Sequence, residues 1–377
     1  MTHQFRKTST RMADGRELIY FDDTEPWLSG GQVRNAVDHR PLAPADELLR
    51  GGSQVRFDPL TGDWIAMASH RNDRTLMPPP DQDPLAPTVA GGFPTEIPDA
   101  GYDVVAFENR FPSFSNRIGS EAALLDGEQL WPTRPAAGRC EVVCFSSDTH
   151  GSFATLDPRR ARTVVEAWVD RTEELAEIPG VEQVFVFENR GAEIGVTLPH
   201  PHGQIYGYPY LTPRTQAMLR RAREHRAATS RNLFRDVLDA ERRVGSRIVL
   251  ETEHWSAYVP AAARWPVEVH LAPHRDVPDL PALDDAERAD LVTAYLDLLA
   301  RLDRYYPDDH PLPYIAGWHQ APVREGREEF RLHLQVFSVL RGPGKVKYLA
   351  GSESAMAAWI NDTTPEKVAA RLREVGQ

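Results

Sequence analysis

The sequence predicts an α+β fold built from two related halves, and three observations carry that prediction. Short β-patterned runs, amphipathic helical stripes and turn clusters alternate along the 377 residues. One order of elements occurs twice: a strand ending in a histidine, a helix, a strand, and a strand carrying His-x-His or His-x-Gln. The first copy spans 141–204 and the second 267–335. A chain of this length buries a sizeable core without disulfide or metal staples.

The net charge of −12 argues against a nucleic-acid binder, which needs a basic face. An anionic small substrate remains compatible where arginines gather locally. Lys7, Lys345, Lys347 and Lys367 are the only lysines, so nearly all positive charge is arginine and a single arginine is a weak clue. Cys140 and Cys144, four apart in an apolar run, read as buried reduced thiols and exclude a disulfide framework within the chain. The polar stretch 1–11 lacks the apolar core of a signal peptide. No apolar run approaches the roughly 20 residues of a membrane span. These readings predict a soluble, cytoplasmic protein with no nucleic-acid and no membrane partner.

Taken in order, 1–53 reads as a polar, irregular N-terminal arm, with Tyr20, Phe21 and Trp27 free to pack on a neighbour. Residues 54–67 read as two short strands around a Pro/Gly turn. In the loop 69–74, Arg71 and Arg74 are spaced to grip a diphosphate by paired donors, or else form a solvated loop. Residues 77–100 are a Pro/Gly-rich loop. The strand 102–108 ends in Asn109 and Arg110, placed like ligand contacts. Asp157 and Pro158 open a helix with the stripe Val164, Val165, Trp168 and Leu175. Residues 213–243 read as one charged helix ending before Gly245, and 247–250 with 255–259 as a hairpin. Asp284 and Glu287 have capping-box spacing at the start of the second half's helix. The pair His200/His202 survives only in the first half, the second reading His333/Gln335. Gly342 to Lys345 favours a turn, because it lacks the nucleoside-triphosphatase phosphate-loop pattern. Thr364-Pro365-Glu366 opens a last amphipathic helix. The resulting boundaries are 1–53 for the arm, 54–212 for the catalytic half and 213–377 for the second half.

The chemistry concentrates in Leu198-Pro199-His200-Pro201-His202-Gly203-Gln204-Ile205-Tyr206. On a strand of period two, His200, His202 and Gln204 face one side. Pro201 removes a backbone donor, which places the strand at a sheet edge or at its own end. Gly203 allows a ligand close to the backbone. His-x-His suits metal binding or nucleophilic catalysis by histidine at phosphorus. The bland reading is a polar strand end.

This run resembles the histidine-triad signature, and His-Pro-His-Gly-Gln is similar to the transferase branch of that superfamily, the galactose-1-phosphate uridylyltransferase family. The stretches 56–64, 107–112, 187–191, 251–255 and 317–319 extend the resemblance from about residue 54 to the end of the chain. The resemblance implies two histidine-triad-like halves, each an antiparallel sheet with helices packed on it. It implies that His202 is the nucleophile, with Gln204 and His200 beside it as the catalytic group. It implies uridylyl transfer between hexose 1-phosphates, with UDP-glucose, UDP-galactose and hexose 1-phosphates as partners. The family's contacts carry over to Arg71, Arg74, Asn109, Asn189, Gly195, Val196, Thr197, Gln204, Lys347, Tyr348 and Glu353, and we add Arg110 from its strand-end position. A homodimer with shared sites is implied, the arginine loop reaching into the partner's site.

No cofactor is firmly implied. The family's zinc site uses a cysteine pair, and Asp83 and Ala86 stand at the matching positions. The other two zinc ligands match His150 and His200. This is a poor tetrahedral set, and no tightly held zinc is expected. Of the family's second metal site, His319 and His333 remain, while Gln335 replaces a histidine and Met218 stands at the glutamate position. That site is also expected to be empty. Two alternatives stay open: a related phosphorylase or adenylyltransferase with the same nucleophile, and a nucleotide-binding module without activity.

Overall fold

The computed structural model describes residues 3–48, 53–73, 79, 82–117, 123–307 and 310–376. Its centre is an eleven-stranded antiparallel sheet. The strands run in the order Arg6–Arg11, Glu17–Asp22, Val104–Glu108, Arg139–Cys144, His202–Tyr208, Gln183–Arg190, Tyr314–His319, His333–Ser338, Val267–Pro273, Trp255–Tyr258 and Ile248–Glu251. The two halves meet where Gln183–Arg190 pairs antiparallel with Tyr314–His319. Two related halves are thus present, and their sheets join edge to edge.

Strand alternation divides the faces of this sheet. Val143, Val186, Ile205, Ala316, Leu334 and Val336 share one core cluster with the helices Pro158–Ala176 and Asp285–Asp303. The first helix starts where the Asp157 side chain accepts from the Arg159 and Arg160 amides, with proline in the first turn. The second starts at a capping box of Asp284 and Glu287. Trp168, Tyr295, Phe153 and Trp318 interlock between them and bind the halves together.

The opposite face carries the sheet residues that line the two cavities. Across it runs one row of cross-strand partners: Val142, Gln204, Phe187, Gly317, Gln335 and His270. Gln204 and Gln335 therefore occupy matching positions on either side of the junction. This corrects the sequence correspondence by two residues. His333/Gln335 matches His202/Gln204, not His200/His202, because cross-strand pairing rather than histidine count sets the register.

Two other expectations change. The N-terminal segment is not an irregular arm throughout: Arg6–Arg11 and Glu17–Asp22 form a hairpin that extends the sheet beside Val104–Glu108. Tyr20 and Phe21 are fully buried within it. The charged helix expected over 213–243 is two helices, Pro213–Thr229 and Leu233–Val244. Ser230 turns left-handed at φ 61° and Asn232 caps the second helix through the Arg235 amide. A separate four-stranded sheet orders Asp63–Met67, Gln54–Asp58, Pro132–Pro135 and Ala123–Leu124. Among the described residues no helix is long and apolar enough to cross a membrane.

Candidate active site

His202 opens its strand in the middle of the sheet, between Arg139–Cys144 and Gln183–Arg190. Pro201 lies just outside, so its missing donor marks the strand's end rather than an edge. His202 Nδ1 donates to the carbonyl of His200 at 2.7 Å. The neutral ring then carries its proton on Nδ1 and keeps a lone pair on Nε2. Burial lowers the pKa of His202 from its ordinary value, which keeps the ring neutral and nucleophilic at neutral pH.

His200 sits behind this ring, 1% exposed. Its Nδ1 lies 2.8 Å from Asp83 Oδ2, and its Nε2 lies 2.8 Å from both Ser146 O and Tyr102 Oη. The Tyr102 hydroxyl donates onward to Leu85 O at 2.8 Å, so it receives from His200. Both ring nitrogens are thus taken up by protein partners. Burial raises the Asp83 pKa, but the His200 and backbone hydrogen bonds outweigh that and hold it below the usual value. Tyr102 was missed in the sequence reading, where only its place in a strand was visible.

In front of His202 opens a cavity of about 770 Å³. It is lined by Arg71, Asn109, Arg110, Asn189, Gly195, Val196, Thr197, His202 and Gln204, which the structure thus brings together. Gln204 Oε1 accepts from Tyr206 Oη at 3.2 Å, so Gln204 offers a ligand its amide N–H. Asn109 Oδ1 accepts from the Phe111 amide, which likewise leaves its NH2 group for a ligand. Arg71 stands in the 3-10 turn Ser69–Asp73 and donates to Phe111 O at 2.8 Å. Arg110 Nε is buried without a hydrogen-bond partner. Neither guanidinium has a carboxylate partner among the described residues. Two unneutralised arginines, two amides and a glycine-bearing turn suit a diphosphate ester.

The sequence reading also missed Arg16 and Arg40, which reach the cavity from the N-terminal segment. Arg16 pairs with Asp14 and Glu96, and Arg40 with Asp38 and Glu96. Their charge is spent within the wall. No spacing in a segment read as irregular would have flagged them.

One expectation is corrected, and several other residues stand apart from the cavity. Gly203 faces away from the cavity: an added Cβ would lie 3.0 Å from the Phe145 ring and from Phe187 O, so helix-side packing requires the glycine, not the ligand. Arg71 lines the cavity of its own chain. Arg74 lies outside the described residues. Lys347, Tyr348 and Glu353 do not line the cavity. Lys347 is buried and pairs with Glu353 at 3.3 Å, while Tyr348 is 78% exposed.

The residues at the family's zinc positions do not fit a zinc ion. Both His200 nitrogens lie 2.8 Å from protein partners, Asp83 Oδ2 on one side and Ser146 O and Tyr102 Oη on the other, so neither stands open toward an ion. Ala86 has no donor atom, and the His150 side chain is 91% exposed beside Asp148. At the second metal position, the His319 and His333 rings stack with centroids 5.1 Å apart and 11° between planes. Stacked rings do not aim in-plane lone pairs at one ion. His333 Nε2 is also occupied by the Gln335 amide at 3.0 Å. Among the described residues no group of three or more His, Cys, Asp or Glu is placed to hold a metal.

Known proteins resemble this chain over most of its length. The family described as galactose-1-phosphate uridyl transferase, N-terminal domain, matches residues 43–212, and its C-terminal domain matches 218–377. A galactose-1-phosphate uridylyltransferase of Streptomyces lividans is 49% identical, over 98% of both chains. One from Thermotoga maritima is 33% identical over 85% of this chain and 98% of its own. A solved structure of a uridylyltransferase superimposes with a TM-score of 0.76 at 30% identity, covering 86% of this chain and 98% of its own. The chain therefore belongs to the galactose-1-phosphate uridylyltransferase family.

Proposed function

We infer that this protein is a galactose-1-phosphate uridylyltransferase of galactose metabolism, converting UDP-glucose and galactose 1-phosphate into glucose 1-phosphate and UDP-galactose. The observation that carries the reading is His202, neutral and tautomer-fixed, at the floor of a cavity with two unpaired guanidiniums.

Nε2 of His202 attacks the α-phosphorus of UDP-glucose. The bond from that phosphorus to the bridging oxygen breaks, and glucose 1-phosphate leaves with the oxygen and its electron pair. A phosphate monoester is a weak base near neutral pH, so it departs without a strong general acid. The uridylyl-imidazolium keeps its Nδ1–H on the His200 carbonyl, which stabilises the positive ring. A phosphate oxygen of galactose 1-phosphate then attacks the same phosphorus, and the bond to Nε2 breaks. Gln204 donates to the phosphoryl oxygens but has no proton to give, so it does not promote hydrolysis. Arg71 and Arg110 neutralise the diphosphate.

The chain works without the family zinc, the Asp83–His200–Tyr102 network taking over the ordering of the strand entry. It acts in the cytoplasm as a homodimer with shared sites. The displacement of Tyr348 and Glu353 from their own chain's cavity supports this, as does the exposure of Leu349, Met356 and Ile360 around them. The test is a coupled assay with UDP-glucose and galactose 1-phosphate, run beside ADP-glucose with inorganic phosphate. Turnover of the first pair and not the second is expected; the reverse would transfer the site to a phosphorylase.

A further inference from the structure

On the same sheet face a second cavity, of about 360 Å³, opens over His333 and Gln335. Its position is fixed by the row that pairs Gln204 with Phe187, Phe187 with Gly317 and Gly317 with Gln335. Three strand spacings, about 14 Å, separate the two glutamines. The copy is close at the level of hydrogen bonds. His333 Nδ1 lies 2.9 Å from Arg331 O, the carbonyl two residues earlier, as His202 Nδ1 lies 2.7 Å from His200 O.

The lining combines flat apolar walls with excess positive charge. Phe234, Leu238 and Tyr258 supply the walls, and six arginines face a single acid, Asp276. Four of the arginines are paired: Arg221 with Glu224, Arg235 and Arg331 with Asp276, and Arg275 with Glu287. Arg214 and Arg264 have no carboxylate partner among the described residues. Burial and then the charge of Arg264 lower the pKa of Arg214, against the opposing pull of the buried Glu268, whose carboxylate accepts from the Arg264 amide. Neither guanidinium is in ion-pair contact with that carboxylate, so both remain available to an anion in the cavity.

We propose that this cavity is a second, non-catalytic binding site for a nucleoside monophosphate, with the phosphate between Arg214 and Arg264 and the base against Phe234 and Tyr258. About half the volume of the active-site cavity accommodates a nucleotide without the second phosphate and sugar. The same geometry explains why no transfer occurs there. Arg214 donates to Gln335 Oε1 at 2.5 Å, which turns the Gln335 amide toward His333 Nε2 and occupies the lone pair that attack would need. In the active site Gln204 Oε1 is held by Tyr206 instead. The proposal borrows the nucleotide chemistry of the ligand from the proposed function.

Equilibrium dialysis of the full chain with labelled UMP tests it. Two UMP per chain are expected for the wild type and one for Arg214→Met. Arg264→Met should do the same, and its partly exposed side chain makes no hydrogen bond within the described residues, so folding is not at stake. Arg110→Met should lose the other UMP. Saturation of the wild type at one UMP, lost with Arg110→Met and kept with both other variants, would overturn the second site alone. No UMP bound by the wild type would overturn both the second site and the nucleotide reading of the first. Two UMP retained by Arg214→Met and Arg264→Met would overturn the assignment to this cavity.

Discussion

His202 Nδ1 donates to the backbone carbonyl of His200 at 2.7 Å. The first side chain of the strand is thereby oriented by the backbone just before it, and Nε2 is the nitrogen left with a lone pair. The His200 side chain does separate work, tying that backbone to Asp83, Ser146 and Tyr102.

Removing the acceptor for His200 should loosen this entry. Asp83→Ala leaves the buried His200 Nδ1 without its hydrogen-bond partner, and we expect a stability loss of about 1–3 kcal/mol with a fall in kcat larger than the change in KM. Tyr102→Phe should cost less, because Ser146 O still accepts. Thermal melts and steady-state kinetics measure both. Dialysis of the wild type against a chelator should leave its melting temperature unchanged, since the network is made of protein atoms only.

Glu188 is buried at the junction of the halves, where Tyr314 donates to its Oε1 at 3.0 Å. Burial pushes its pKa up to about 7. From about pH 4.3 upward the unfolded chain releases this proton while the folded chain keeps it. Stability therefore falls as pH rises toward 7, and the loss is complete above that. Glu188→Gln removes the loss, on the order of 3 kcal/mol. Urea midpoints should favour the variant at pH 8 relative to the wild type, and not at pH 4.5.

Gly203 should resist even the smallest enlargement. Gly203→Ala drives a methyl against the Phe145 ring and Phe187 O, and we expect a loss of about 1–3 kcal/mol. The change is on the helix side of the sheet, so a melt should register it more strongly than KM for UDP-glucose.

Shared sites predict complementation between two inactive variants. His202→Gly and Tyr348→Ala are each expected to lose activity. Refolded together, half the dimers are mixed and each mixed dimer holds one intact site, so about a quarter of wild-type activity should return. Activity no greater than the sum of the separate variants would place Tyr348 outside the site.

Much of this was legible because a few residues carry unusual constraints. The His200 to Gln204 run combines proline, glycine and two imidazoles, a pattern with few uses; the strand-end position of Asn109 follows from the apolar run before it, while Asn189 entered the site through the family resemblance. The N-terminal hairpin was not legible. Arg6–Arg11 is an edge strand of polar residues with no apolar alternation, and only its pairing with the buried Glu17–Asp22 gives it structure. The break in the charged helix at Ser230 was hidden because arginine and alanine continue on both sides and no glycine marks the turn. The correspondence of His333 with His202 required cross-strand register, which one strand's sequence does not contain.

The most direct test is covalent. Incubate the protein with UDP-glucose labelled at the α-phosphate, omit any acceptor, and map acid-labile label. The account predicts close to one uridylyl group per active site, on His202, discharged by galactose 1-phosphate and absent from a folded His202→Gly variant. A folded wild-type protein that turns over substrate without labelling, or that labels at another residue, would contradict it.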